Sequence, residues 1–130
     1  MFYVDFVSFL WYYVVGEVIV VSEIIHYIDV SDALKRIGGS MDLYKRLLKQ
    51  YSGTDHIEPL EESLRDGVSE DASRKLHTLK GVCANLSLSK LAAAAADLEK
   101  IVHDGTDYSE SFEKLKEIYH ETSQQISEII

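Results

Sequence analysis

Residues 75–91, KLHTLKGVCANLSLSKL, read as helix through most of their length, yet they set a histidine, a lysine and a glycine within five residues of one another. A bundle helix is better served at such positions by Ala, Glu or Gln, and an interior glycine costs about 1 kcal/mol against alanine. Projected at about 100° per residue, Ala72, Leu76, Leu79, Cys83 and Leu86 recur at helical spacing and form a core seam. His77 falls on the far side of the helix from that seam. Ser73, Gly81, Ala84 and Leu88 project within about 40° of it, and Lys80 lies one turn on, slightly to the side. The projection predicts an exposed ring on a surface kept low by small side chains. The Lys80 ammonium stands within reach of whatever the ring holds.

A lone surface histidine on a helix usually does nothing, so the surroundings have to decide. The chain has 130 residues, 46% of them apolar, enough for one domain with a single core. Pro occurs once, and helix formers dominate from Ser31 onward, which favours an all-α fold. The formal charge of −9 argues against nucleic acid, because phosphate binding needs clustered Lys and Arg. Cys83 is the single cysteine, which builds neither a disulfide framework nor a multi-thiolate zinc site. A reducing, cytoplasmic setting fits best.

The first 26 residues differ from the rest: MFYVDFVSFLWYYVVGEVIVVSEIIH holds three acids and no Lys or Arg. The positive n-region of a secretory signal is missing. The uncharged run 6–16 is short of the about 20 residues a spanning helix needs, and Glu17 interrupts any longer count. Three readings stay open for this leader: packing on the domain or on a second copy of it, contact with a membrane, or an addition foreign to the working domain.

Beyond Tyr27 the punctuation is regular. Ser31 is placed to cap a short helix ending at Gly38-Gly39, with Ala33, Leu34 and Ile37 inward, and Ser40 to cap the next. Leu43, Tyr44, Leu47, Leu48 and Tyr51 recur at helical spacing, and Ile57, Leu60 and Leu64 continue the stripe, with Gly53 and Pro59 placed to kink or divide it. A helix starts at Ser69 with acids in its first turn, and Ser87 or Ser89 separates it from the next. Leu91, Ala94, Ala95, Leu98, Ile101 and Val102 form the following stripe, closed by Gly105. The last runs from near Ser109 through Phe112, Leu115, Tyr119, Thr122, Ile126 and Ile129. Short connections predict antiparallel neighbours. The expectation is an all-α protein: an antiparallel up-down four-helix bundle over 27–130, with a short additional N-terminal helix and an apolar N-terminal leader.

The stretch HTLKGVCANLSLSKLAAAAADLE, residues 77–99, resembles the signature of histidine-containing phosphotransfer (HPt) domains, roughly His-x-Leu-Lys-Gly-x-x-x-Asn-Leu-Gly followed by a helix ending in Leu-Glu. IDVSDALKRIGGSMDLYKRLLKQY, residues 28–51, resembles the family's opening, and IEPLEESLRDGVSEDASRKLH, residues 57–77, its approach to the histidine. The likeness covers about residues 28–130, and the leader is not part of the pattern. Ser87 departs from it, standing where the family often has glycine, and should alter the helix–helix turn more than the chemistry. The resemblance implies that His77 is the phosphorylated residue, Lys80 the cation that stabilises the phosphoryl group, and Gly81 the clearance for an incoming domain. Ser73, Ala84, Leu88 and Glu99 join it on the partner-facing surface, Glu99 from the following helix as a group that orients the ring, touches the partner or is merely solvated. Asn85 would fix the end of the helix or its turn.

An imidazole is a nucleophile when neutral, and histidine is the side chain whose ordinary titration range spans neutral pH. The resemblance implies attack on a phospho-aspartate of a response-regulator receiver domain, then return of the phosphoryl group to the aspartate of a second receiver. Response regulators and hybrid sensor histidine kinases are the implied partners. Mg²⁺ is expected on the receiver, and no cofactor or metal on this chain. There is no glycine-rich phosphate loop, so the chain reads as a phosphoryl carrier and not a kinase. The rivals are a scaffold bundle that dimerises through its leader, a metal site for which Glu99 and His103 are the one helical pair, and cysteine chemistry at Cys83, whose place on the seam suits inert packing.

Overall fold

The computed structural model of the chain describes residues 27–130. The expectations for the leader, 1–26, lie outside the described residues. Six helices follow one another: α1 (Val30–Arg36), α2 (Met41–Ser52), α3 (Glu58–Arg65), α4 (Ser69–Asn85), α5 (Ser89–Asp104) and α6 (Ser109–Ile129), with no strand among the described residues. The all-α expectation holds. No described helix is long and apolar enough to cross a membrane.

Each boundary has a local cause. Asp29 caps α1 by accepting the Asp32 N–H at 3.0 Å. Ser31, the cap expected from the sequence, is instead inside the first turn, because the carboxylate two residues earlier reaches the free N–H first. Ser40 caps α2 as expected, accepting from the Leu43 N–H at 3.1 Å. Gly53 ends α2 and Pro59 sits in the first turn of α3, so the long stripe 43–64 is divided, not kinked. The connection between them is packed. The His56 ring stacks on Tyr51 with centroids 4.5 Å apart and meets the Tyr119 ring of α6 edge-on at 6.3 Å.

Most helices adjacent in sequence are adjacent in space: α3 lies on α4, α4 on α5, and α5 on α6, while α6 returns against α2 and α1 rests on α2. The core between them holds Tyr44, Leu48, Leu60, Leu76, Leu91, Leu98, Leu115 and Ile126. The α4 seam is as projected, for Ala72, Leu76, Leu79, Cys83 and Leu86 are all buried. On α5 the inward positions Ala94 and Ala95 are among the smallest side chains available, which lets its neighbours come close. Burial pushes the Cys83 thiol up to about 12, so it stays protonated and packs as a small apolar group. The Tyr51 hydroxyl is buried beside it and faces that thiol.

A polar staple joins α3 to α4. Lys75 Nζ donates to the Pro59 carbonyl at 3.1 Å and to Ser63 Oγ at 2.8 Å, and pairs with Asp71 Oδ2 at 2.9 Å. Ser63 also hydrogen-bonds Asp71, whose other oxygen takes Arg74 at 2.9 Å. A serine hydroxyl beside a lysine has the composition of a nucleophilic pair. Here all three ammonium protons are engaged, with the Pro59 carbonyl, Ser63 and Asp71, so the group serves as a tie between α3 and α4. Ser63, then Lys75 and Arg74, hold the Asp71 carboxyl down to about 2.

That depression sets a pH dependence. A carboxyl lowered in the folded state stabilises the fold fully above its unfolded value, about 3.9, and the benefit is lost as pH falls through about 2. Asp71→Asn is therefore expected to melt below the wild type at pH 7, with the gap closing between about pH 4 and pH 2. Thermal melts across that range check it, and a gap independent of pH would show that the carboxylate charge is not what holds the staple.

Candidate functional site

The site is built on two helices whose relative placement is set by the turn between them. α4 ends at Asn85, and the Leu88 N–H reaches back to the Cys83 carbonyl at 2.8 Å while the Ser87 N–H reaches the Ala84 carbonyl at 3.2 Å. This closure needs a left-handed residue. Gly105 supplies it at the end of α5 with φ 75°, whereas at the end of α4 the residue is Ser87 with φ 58°. A serine there is strained relative to glycine, and its side chain offsets the strain. Ser87 Oγ donates to Asp32 Oδ2 of α1 at 2.7 Å, and the Asp29 N–H donates to the Ser87 carbonyl at 2.9 Å. From α2, the buried Tyr44 hydroxyl donates to the Leu86 carbonyl at 2.7 Å. Burial pushes Tyr44 up to about 12, which keeps it a donor. The Arg36 guanidinium and then Ser87 hold the Asp32 carboxyl below the usual carboxylate range. The backbone at Ser87 takes the left-handed form that glycine would supply, and the hydroxyl adds a tie to α1.

With the turn closed, α4 and α5 present their faces side by side. His77 stands out from α4 with its side chain 71% exposed. Glu99, on α5 and 24% exposed, aims its two oxygens at different partners: Oε2 is 3.6 Å from His77 Nδ1, and Oε1 is 3.4 Å from Lys80 Nζ. Both separations exceed good hydrogen bonds and are ion-pair contacts, the first only when the ring is protonated. The ring nitrogen that no acid approaches among the described residues is Nε2. A carboxylate, an ammonium and an imidazole edge therefore meet at one exposed point, with Nε2 left for an outside group.

The neighbours expected from the projection divide. Gly81 and Ala84 are exposed and Ser73 is half-buried, as a low surface requires. An added Cβ at Gly81 would meet nothing within 4 Å, so the space above the helix is open. Leu88 is a correction: it is fully buried in the core and cannot line the surface. The projection carried the helix past Asn85, but the left-handed Ser87 turns the chain and sends Leu88 inward at the start of α5. Asn85 is exposed at the last position of α4. The bonds that hold the turn come from Leu88, Asp29, Tyr44 and Ser87. Sequence reading missed Asp32 and Tyr44 as supports of the site. The one available signal was a serine where the pattern prefers glycine. No three His, Cys, Asp or Glu side chains converge as a metal site among the described residues.

The openness above Gly81 yields a stability prediction. Gly81→Ala places a methyl group in free space in a helix interior, so the variant should be more stable by about 0.5–1 kcal/mol. Chemical denaturation measures this; a destabilised variant would mean that the glycine is needed by the fold itself.

No match is found for the chain among curated proteins or among solved structures. The family model for the Hpt domain matches residues 51–125, more than half of the chain. The span includes α3, α4 and α5 entire, and with them His77, Lys80 and Glu99. The chain belongs to the Hpt domain family, whose members carry phosphoryl groups in two-component phosphorelays.

Proposed function

We propose that this Hpt-family chain relays a phosphoryl group between receiver domains through a phosphohistidine at His77. The observation that carries the reading is the ring itself: exposed on α4, with Nδ1 turned toward Glu99, no acid against Nε2 among the described residues, and Lys80 one turn away. In the family, such domains work with receivers and their kinases as carrier modules without kinase activity of their own. In this chain the partners would be response regulators and hybrid sensor histidine kinases, in a cytoplasmic setting. Helices α2 with α3, α4, α5 and α6 serve as the four members of an up-down bundle, with α1 as the additional helix, and 27–130 as the working domain.

The transfer follows from these atoms. The Nε2 lone pair attacks the phosphorus of a receiver's phospho-aspartate. The P–O bond to the aspartyl carboxylate breaks, the carboxylate leaves with the electron pair, and the new P–N bond leaves one positive charge on the ring until Nδ1 releases its proton. Negative charge spreads over three phosphoryl oxygens during the passage, and a nearby cation stabilises it. Lys80 is that cation, long enough to swing from Glu99 to the phosphoryl group without covering the ring. Mg²⁺ would be supplied by the receiver. The small side chains of Gly81 and Ala84 let the receiver's backbone come close enough for in-line geometry. Return of the phosphoryl group to a second receiver is the same step reversed.

Two outcomes test this. Incubated with a phosphorylated receiver, the wild-type protein should gain acid-labile phosphate, and His77→Gln should gain none; label that persists in the variant rejects the assignment of His77. Gly81→Glu, which fills the open space with a charged side chain, should slow transfer by about tenfold or more, equivalent to at least about 1.4 kcal/mol, with helix content by circular dichroism unchanged. Equal transfer rates would remove Gly81 from the docking surface.

A further inference from the structure

We propose that Glu99 shortens the life of the phosphoryl group on His77, setting the carrier to unload. The inference rests on the phosphoryl-carrier reading and concerns what happens after loading. Glu99 is the acid on α5 that faces both working groups of α4, with Oε2 at 3.6 Å from the His77 ring and Oε1 at 3.4 Å from the Lys80 ammonium. It is less exposed than either, so its charge is the least free to move away.

Before loading, the arrangement is balanced: one carboxylate faces one ammonium. After loading, a group with nearly two negative charges sits on the same ring whose other edge faces Glu99. Lys80 then has two anions to serve, and Glu99 opposes the phosphoryl group directly. At exposed sites, unit charges a few ångströms apart interact weakly, but enough to change a rate several-fold. A second effect acts in the same direction. A carboxylate beside Nδ1 favours a proton on that nitrogen of the loaded ring. When the P–N bond breaks, its electron pair goes to Nε2, and a ring already protonated at Nδ1 departs as neutral imidazole. The acceptor's oxygen, from water or from a receiver's aspartate, forms the new P–O bond. Glu99 is thus a positioning residue that touches the ring from behind and does not contact the acceptor.

The test needs no receiver. The full chain is loaded with phosphoramidate, the donor is removed, and phosphate on His77 is followed by phosphorus NMR. Glu99→Gln should hold the phosphoryl group about three to ten times longer than wild type, and Glu99→Ala, which removes the same charge with a different shape, should do likewise. The difference between wild type and Glu99→Gln should shrink as salt is raised from low to near-molar, because a charge effect is screened; a merely structural role for Glu99 would not respond in this way. Equal lifetimes in wild type and both Glu99 variants, with wild type loaded at His77, overturn this inference alone. Failure of the wild type to take phosphate on His77, from phosphoramidate and from a phosphorylated receiver alike, overturns the carrier reading and this inference with it.

Discussion

The structure depends on a division of labour within one helix. α4 has to bury Ala72, Leu76, Leu79 and Cys83 to complete the core, and the helical period then leaves His77 on the opposite side. Nothing else is needed to expose the ring. The burial that stabilises the domain and the exposure that suits chemistry are two results of the same periodicity. Gly81 belongs to the exposed side, where a helix tolerates its loss of stability because the seam is supplied elsewhere in the same turns.

An exposed ring becomes a site only when a second helix brings it company. Here the turn at 86–88 is decisive. It is tied from three directions: by its own backbone closure, by the Tyr44 hydroxyl of α2, and by Asp29 and Asp32 around α1. These ties act on the short connection that sets how α5 lies along α4, and hence on where Glu99 falls relative to His77 and Lys80. α1 is far from the chemistry in sequence, yet its cap and its first turn brace the hinge of the hairpin that carries it. Restraint of this kind is what keeps loosely contacting surface charges in a reproducible arrangement.

The electrostatics suit a carrier more than a catalyst. The groups that meet at His77 are exposed or half-exposed, and their separations are those of ion pairs with water close by. Such contacts are individually weak. On the proposed reading, weakness would be useful to a group that accepts a phosphoryl and must surrender it, since a deeply stabilised phosphohistidine would stop the relay. By contrast, the tighter polar contacts of Lys75, Asp71 and Ser63 lie on the side of α4 that meets α3 and serve the fold.

The sequence by itself determined the helical class, the buried stripe of each principal helix, the exposed place of His77 and the family resemblance, because all of these follow from local periodicity and from residue types at fixed offsets. It also placed the break at Gly53 and Pro59. It could not determine the inward turn of Leu88 or the tie between Ser87 and Asp32, the latter joining residues far apart in the chain. The sharing of Glu99 between His77 and Lys80 was likewise beyond it, since an acid on a helix surface reads the same whether it faces solvent or a neighbour. Those features were decided by the tertiary structure, through the left-handed residue that ends α4 and the packing that holds α5 beside it. A helical period tells which side of its own helix a residue occupies; only the closing of a turn tells what stands across from it.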